Sequence, residues 1–278
     1  MLNDLIATAA NSLQLQQFGP IAPPPGPFCT LVAGLQCLVI ATSYGQETTN
    51  PFEYSKFASG KKLNDLIPTR DGMFRIYVPA TIAAALITVY QYYFLDGTDA
   101  FSLAAPFLFI HFFKRSFEVA FVHHYSGTMP RQNGNAIGLM YASWTILVAL
   151  TATPHATIQS EVMFHIGLLL FVMGEVGNGY HHYLLRRLRR EKRNGDDKRY
   201  VPPVGGMFGH VAAPHYLFEL VAWYGIACVA QQTHAFLTAG GMTSYLAGRA
   251  VVTNRWYMDT FTDREWSRTK KALVPGIF

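Results

Sequence analysis

The apolar positions of this chain gather into seven long blocks: Phe28 to Tyr44, Met73 to Leu95, Phe101 to His123, Ala136 to Ala152, Val162 to Leu185, Tyr216 to Gln232, and Ala235 to Val252. A helix rises about 1.5 Å per residue and a bilayer core is about 30 Å thick, so roughly 20 apolar residues make a span. The breaks carry turn chemistry: Asp96-Gly97, Ser126-Gly127 through Asn133-Gly134, Thr153-Pro154, and Pro202-Pro203 followed by Gly205-Gly206. No β-barrel alternation is visible, and an open sheet would leave its backbone unsatisfied in lipid. No internal repeat is evident. The pattern predicts an all-α polytopic membrane protein of about seven transmembrane helices. They form one domain over residues 28–278, after an extended N-terminal segment, 1–27, whose end (Gly19 to Pro27) holds five prolines.

Composition agrees with that reading. Half of the 278 residues are apolar and 14% are charged, against roughly a quarter charged in a soluble domain. The 20 Phe and 15 Tyr suit rings at lipid–water boundaries. Cys29, Cys37 and Cys228 lie in apolar runs without metal-type spacing, so neither a disulfide framework nor a metal site is expected. The pair Gly205-Gly206 is too weak a signal for a nucleotide fingerprint. Residues 1–55 hold no Lys or Arg, which fits neither a secretory signal nor a mitochondrial transit peptide.

Charge placement orients the spans. With seven of them, segments near 45–72, 124–135, 186–215 and 253–278 share a side, and these carry nearly all the Lys and Arg, eight of them between Arg186 and Arg199. The opposite segments, 1–27, 96–100, 153–161 and 233–234, carry none. Arg75, Lys114, Arg115 and Arg249 fall in the basic-side halves of their spans. By the positive-inside bias the C-terminus faces the cytosol, or the matrix in a mitochondrial membrane. The net charge of +5 points to anionic lipid headgroups or a phosphate-bearing ligand, not nucleic acid, because the basic residues interleave with spans.

Charged residues inside spans are functional candidates, since lipid does not tolerate them unpartnered. In the third block, His111, Arg115 and Glu118 share a helical face, and Lys114 can pair with Glu118. In the fifth, Glu175, Asn178 and His182 share a face, with His181 beside them. The sixth opens Pro214-His215-Tyr216, with Glu219 one turn later. Three polar faces thus converge on the basic side, as either structural ion pairs or a cofactor and substrate chamber. The run Arg186 to Arg199 reads either as a lipid-facing flank or as phosphate recognition, for which Tyr200, Arg255, Trp256 and Tyr257 supply guanidinium and aromatic faces.

At these residues the chain resembles the steroid 5α-reductase superfamily, which includes steroid reductases, polyprenol reductases and very-long-chain trans-2-enoyl-CoA reductases. The similarity runs from about residue 54 to the end. Asn254-Arg255-Trp256-Tyr257 through Lys271-Ala272-Leu273-Val274-Pro275-Gly276-Ile277-Phe278 is similar to the family ending. Tyr200, Pro202, Gly205-Gly206 and Phe208 match its Tyr-x-x-Pro-x-Gly-Gly-x-Phe block, with the first proline one residue early, Glu219 matches the glutamate after it, and Leu185-Arg186-Arg187-Leu188-Arg189 its Leu-Arg-x-Leu-Arg tail. His111 to Thr128 looks closest to the enoyl-CoA reductase branch. The resemblance implies a seven-span bundle that reduces a C=C bond conjugated to a carbonyl with NADPH. By position it implies a cofactor site of Asn178, Arg189, Tyr200, Glu219, Arg249, Arg255 and Tyr257, joined by His182 and His215 where the family has Asp and Asn.

Departures from the pattern bear on catalysis. Pro68-Thr69-Arg70 leads to Ile76-Tyr77 where steroid reductases carry Gln-Glu, and their substrate-side Tyr is Phe112 here. Tyr216 and His111 remain as candidate acids for the carbonyl, with Glu219 beside them. Two functions follow. One is NADPH-dependent reduction of an apolar lipid substrate, enoyl-CoA, isoprenoid or steroid-like, in the endoplasmic reticulum. The other is a degenerate reductase-like subunit of a larger membrane complex, for which the mitochondrial inner membrane is an alternative location.

Overall fold

The computed structural model describes residues 21–52, 65–95, 102–125, 127–152, 158–193, 201–262 and 265–278, with side chains undescribed over 189–193. Among the described residues seven α-helices follow in order: α1 Gly26–Thr49, α2 Thr69–Phe94, α3 Ala104–Phe117, α4 Arg131–Thr151, α5 Glu161–Arg193, α6 Pro214–Ala230 and α7 Thr233–Thr260. One helix thus falls on each apolar block. By length and composition alone, α1, α2, α4 and the Glu161–Leu188 part of α5 can cross a membrane. Helices α3 and α6 are shorter, at 14 and 17 residues.

Helix ends follow backbone chemistry. Pro25 precedes the first residue of α1 and Pro214 opens α6, where the missing N–H costs nothing. Gln231, in the left-handed region at φ 49°, stops α6. Its side chain then accepts the N–H groups of Gln159 and Ser160, at 2.8 and 2.9 Å, at the start of α5. Gln232 caps α7 by accepting from the N–H of His234 at 2.6 Å.

Two local features depart from the sequence expectation. A short antiparallel ribbon joins β1, Leu66–Pro68, to β2, Thr128–Pro130, and three-residue strands are too short to show a periodicity. The break expected to last through Asn133-Gly134 ends at Pro130, and α4 is helical from Arg131. Gly134 serves packing there instead of a turn, because a Cβ would sit 3.2 Å from the carbonyl oxygen of Gly72.

Small residues set how closely the helices pair. Helix α5 lies along α6, α1 along α7, and α2 against both α3 and α4. A Cβ at Gly174 would collide with the backbone of Ala222, and one at Gly225 with that of Phe171, so the α5–α6 backbones approach as only glycine permits. The core between them runs from Ala80 and Leu108 through Phe112, Tyr141 and Trp223 to Met242. Outward faces are apolar as well: Leu31, Leu86, Leu139, Leu169 and Val176 are all exposed. That distribution suits a lipid surround rather than water.

Candidate functional site

Helix α3 supplies the centre. Its last two turns carry His111, Lys114 and Arg115, after which the backbone widens into a π-helical turn, Glu118–Val122. Such turns commonly re-aim side chains at functional sites. Here the turn places Glu118 and His123 on the side facing α5.

Each polar group on α3 finds a partner across the bundle. His111 Nδ1 lies 2.5 Å from Glu175 Oε1. Lys114 Nζ donates to Asn178 Oδ1 at 2.7 Å and to the Glu175 carbonyl at 3.2 Å, and sits 2.8 Å from Glu175 Oε2. Arg115 reaches three ways: Nη1 to Glu118 Oε2 at 2.5 Å, Nη1 to His182 Nε2 at 3.0 Å, and Nη2 to the Tyr77 hydroxyl at 2.7 Å. Because a guanidinium can only donate, His182 Nε2 is an acceptor; Nδ1 then holds the proton and donates to His123 Nε2 at 2.8 Å.

Helix α6 closes the cluster. Asn178 Nδ2 donates to the His215 carbonyl at 2.9 Å, tying α5 to the first turn of α6. The His215 ring packs 5.3 Å from that of His182 and 4.2 Å from that of Tyr216. Glu219, 4% exposed, makes no hydrogen bond to any described residue, although its charge acts on Arg115 and Tyr77. The segment before α6 is held from two directions. Met207 N–H donates to His181 Nε2 at 3.1 Å, next to Gly205 and Gly206 with φ of 86° and 50°. Ala212 and Ala213 N–H donate to the carbonyls of Lys271 and Ala272 at 2.9 and 3.1 Å.

The structure therefore brings His111, Asn178, His182, His215, Tyr216 and Glu219 together. It puts other expected site residues elsewhere. Arg249 is buried between α1 and α7, with Nη1 2.6 Å from Glu47 Oε1 and 3.0 Å from the Phe52 carbonyl. Arg255 is exposed. Tyr257 belongs to a separate apolar group with Ala212, Phe261 and Trp266. Tyr200 and the side chain of Arg189 lie outside the described residues.

Two participants escaped the sequence reading. Tyr77 looked like a loss, a phenol standing where a carboxylate was sought. Glu47, the partner of Arg249, lies past the end of the first apolar block, where an acid draws no notice. Glu118, His123 and His182 also place potential metal-ligand atoms within 4.8 Å of one another. Arg115 already occupies two of those three groups, and a second cation there would meet its full positive charge.

Residues 135–278 match the 3-oxo-5-alpha-steroid 4-dehydrogenase family. Over 257 residues the chain is 26% identical to 3-oxo-5-alpha-steroid 4-dehydrogenase 2 of Homo sapiens, covering 89% of this chain and 96% of that protein. It is 30% identical over 197 residues to the very-long-chain enoyl-CoA reductase of Dictyostelium discoideum, covering 67% and 64%. With a probable very-long-chain enoyl-CoA reductase of Caenorhabditis elegans the identity is 31% over 178 residues, covering 60% and 56%.

Proposed function

Because the chain belongs to the 3-oxo-5-alpha-steroid 4-dehydrogenase family, we propose that it is an integral membrane reductase acting on a C=C bond conjugated to a carbonyl, with NADPH as reductant. The substrate is an apolar lipid of the enoyl-CoA, isoprenoid or steroid-like kind. All seven helices span the bilayer in this reading, with the C-terminus on the basic side. The observation that carries it is the buried polar cluster of α2, α3, α5 and α6, with Lys114 and Arg115 on the α3 side and Glu219 left without a hydrogen bond to any described residue.

Glu219 fits the cofactor. A buried carboxylate lacking a donor is costly, and the carboxamide of a nicotinamide offers a neutral N–H pair for it. NADPH, when bound, supplies the hydride that reaches the β-carbon. Glu219 would hold the ring end, and Asn178 would fix the first turn of α6 through Lys114 and the His215 carbonyl. Arg255, on the exposed end of α7, and Arg189 are the candidates for the phosphates. The carbonyl oxygen gains negative charge as the β-carbon is reduced, so the cationic α3 face stabilises the enolate-like state.

Purified protein is expected to gain thermal stability with NADPH, and Glu219→Gln to weaken that binding roughly tenfold, the worth of one charge-assisted hydrogen bond. No stabilisation of the native protein by NADPH would overturn the reading. Turnover is followed at the nicotinamide absorbance with trans-2-hexadecenoyl-CoA and with a Δ4-3-oxosteroid. The closed Arg249–Glu47 pair favours a second reading, a reductase-like subunit of a membrane complex, since an expected cofactor contact is already committed. Migration in one large complex on a native gel, without turnover, would support it.

A further inference from the structure

The reductase reading leaves open which group protonates the substrate carbonyl. We propose that Tyr77 does so, with Arg115 as its positioning partner, an assignment that rests on that reading. Tyr77 is 6% exposed and is fixed on two sides. Its ring stacks on Tyr141 at 6.1 Å and 17°, and the Arg115 guanidinium carbon stands 4.8 Å over it. The hydroxyl oxygen accepts from Arg115 Nη2 at 2.7 Å.

A phenol carries one proton to donate and two lone pairs. Arg115 can use only a lone pair. No described residue accepts the proton, so Tyr77 holds an undelivered O–H. Leaving a buried donor unmade is expensive, and a carbonyl oxygen is the acceptor it lacks. Glu219 acts electrostatically on both Tyr77 and Arg115, so this O–H belongs to the same charged neighbourhood as the proposed nicotinamide contact.

The other candidates are placed differently. His111 Nδ1 is bound to Glu175 at 2.5 Å, and its ring is packed edge-on against Phe112 and Trp223 at 5.0 and 5.3 Å. The Tyr216 ring lies 4.2 Å from that of His215, whose ring in turn is 5.3 Å from that of His182.

The step balances. A hydride from NADPH forms the new C–H bond at the β-carbon, the C=C pair shifts to the α-carbon–carbonyl bond, and the carbonyl pair moves onto oxygen. Tyr77 gives its proton to that oxygen, and the resulting phenolate is held by Arg115. The enol then takes a proton from water at the α-carbon and returns its O–H proton to Tyr77. NADPH is oxidised to NADP⁺ and the carbonyl is restored.

Tyr77→Phe keeps the ring and its stack and removes only the hydroxyl. The variant is expected to bind NADPH as the native protein does, to lose on the order of a hundredfold in kcat, and to bind hexadecanoyl-CoA or the saturated 3-oxosteroid roughly tenfold more weakly in the presence of NADP⁺. The affinity for the saturated carbonyl decides the matter even where turnover is slow, and it is read only on variant protein whose NADPH-induced thermal shift matches the native. Native turnover with Tyr77→Phe inside threefold of it, and unchanged carbonyl affinity, would overturn the assignment while leaving the reductase reading intact. Native protein that neither binds NADPH nor turns over either substrate would overturn both. Loss confined to Tyr216→Phe or His111→Gln would move the role to that residue.

Discussion

Replacing Glu47 by Ala removes half of the ion pair that joins α1 to α7. Both side chains are 1% exposed, and Nη1 and Oε1 are 2.6 Å apart. With an effective dielectric of about 20, that separation corresponds to ~6 kcal/mol of gross attraction. Desolvating both charges opposes it, so the intact pair is worth little against an apolar pair of the same volume. Truncating one partner differs, because Arg249 stays buried and loses its carboxylate, which costs about 3–5 kcal/mol. A loss of that size lowers Tm by something on the order of 10 °C in a chain of this length. Intrinsic fluorescence during heating in nanodiscs reads it. Glu47→Leu combined with Arg249→Met is expected to recover most of the loss, since the charge is removed along with its partner. A Tm for Glu47→Ala within about 2 °C of native, or a double variant no more stable than the single, would refute the reasoning. The double variant also separates two roles of Arg249: restored stability with weakened NADPH binding places it at the cofactor, and unchanged binding confines it to the pair.

Two further outcomes are expected. Gly174→Val should separate α5 from α6 at Ala222, costing about 1–3 kcal/mol and lowering Tm, whereas an unchanged Tm would mean the helices pack less tightly than the structure has them. Asp65→Asn removes an exposed ion pair in which the Arg131 Nε–H is shared between the two carboxylate oxygens, 2.8 Å to each, at a position with φ 63° that Asn tolerates. It should therefore cost under about 1 kcal/mol, and a Tm drop above about 5 °C would show that the pair clips the β1–β2 ribbon.

The helices were legible because their signal is long and one-dimensional: stretches of 17 to 24 largely apolar residues, separated by Pro and Gly. The polar faces of α3 and α5 were legible for the same reason, as 111, 115 and 118, and 175, 178 and 182, follow helical spacing. Pairing between distant elements was not. Nothing near Glu47 announces Arg249, 202 positions away, and Tyr77 acquires meaning only when Arg115 arrives from α3. The π-helical turn at Glu118–Val122 was hidden because its residues, Glu-Val-Ala-Phe-Val, have no propensity that separates it from the preceding helix. Asn133-Gly134 misled because a glycine used for close approach has the same letters as one used for a turn.

The docking of α1 against α7 has a consequence for how the chain is made. Helices entering a bilayer in order of synthesis put α1 there before α7, yet Gln36 meets His234, and Glu47 meets its charged partner Arg249, on α7, with Phe52 N–H as the local donor to Glu47 at 3.3 Å. At about 5–20 residues per second, translating the 202 residues between the paired charges takes on the order of 10–40 s. Throughout that interval Gln36, in the middle of α1, and Glu47, near its end, are without those partners, and an amide and an acid are costly in lipid. A defect in α7 would therefore leave Gln36 and Glu47 of α1 without those partners.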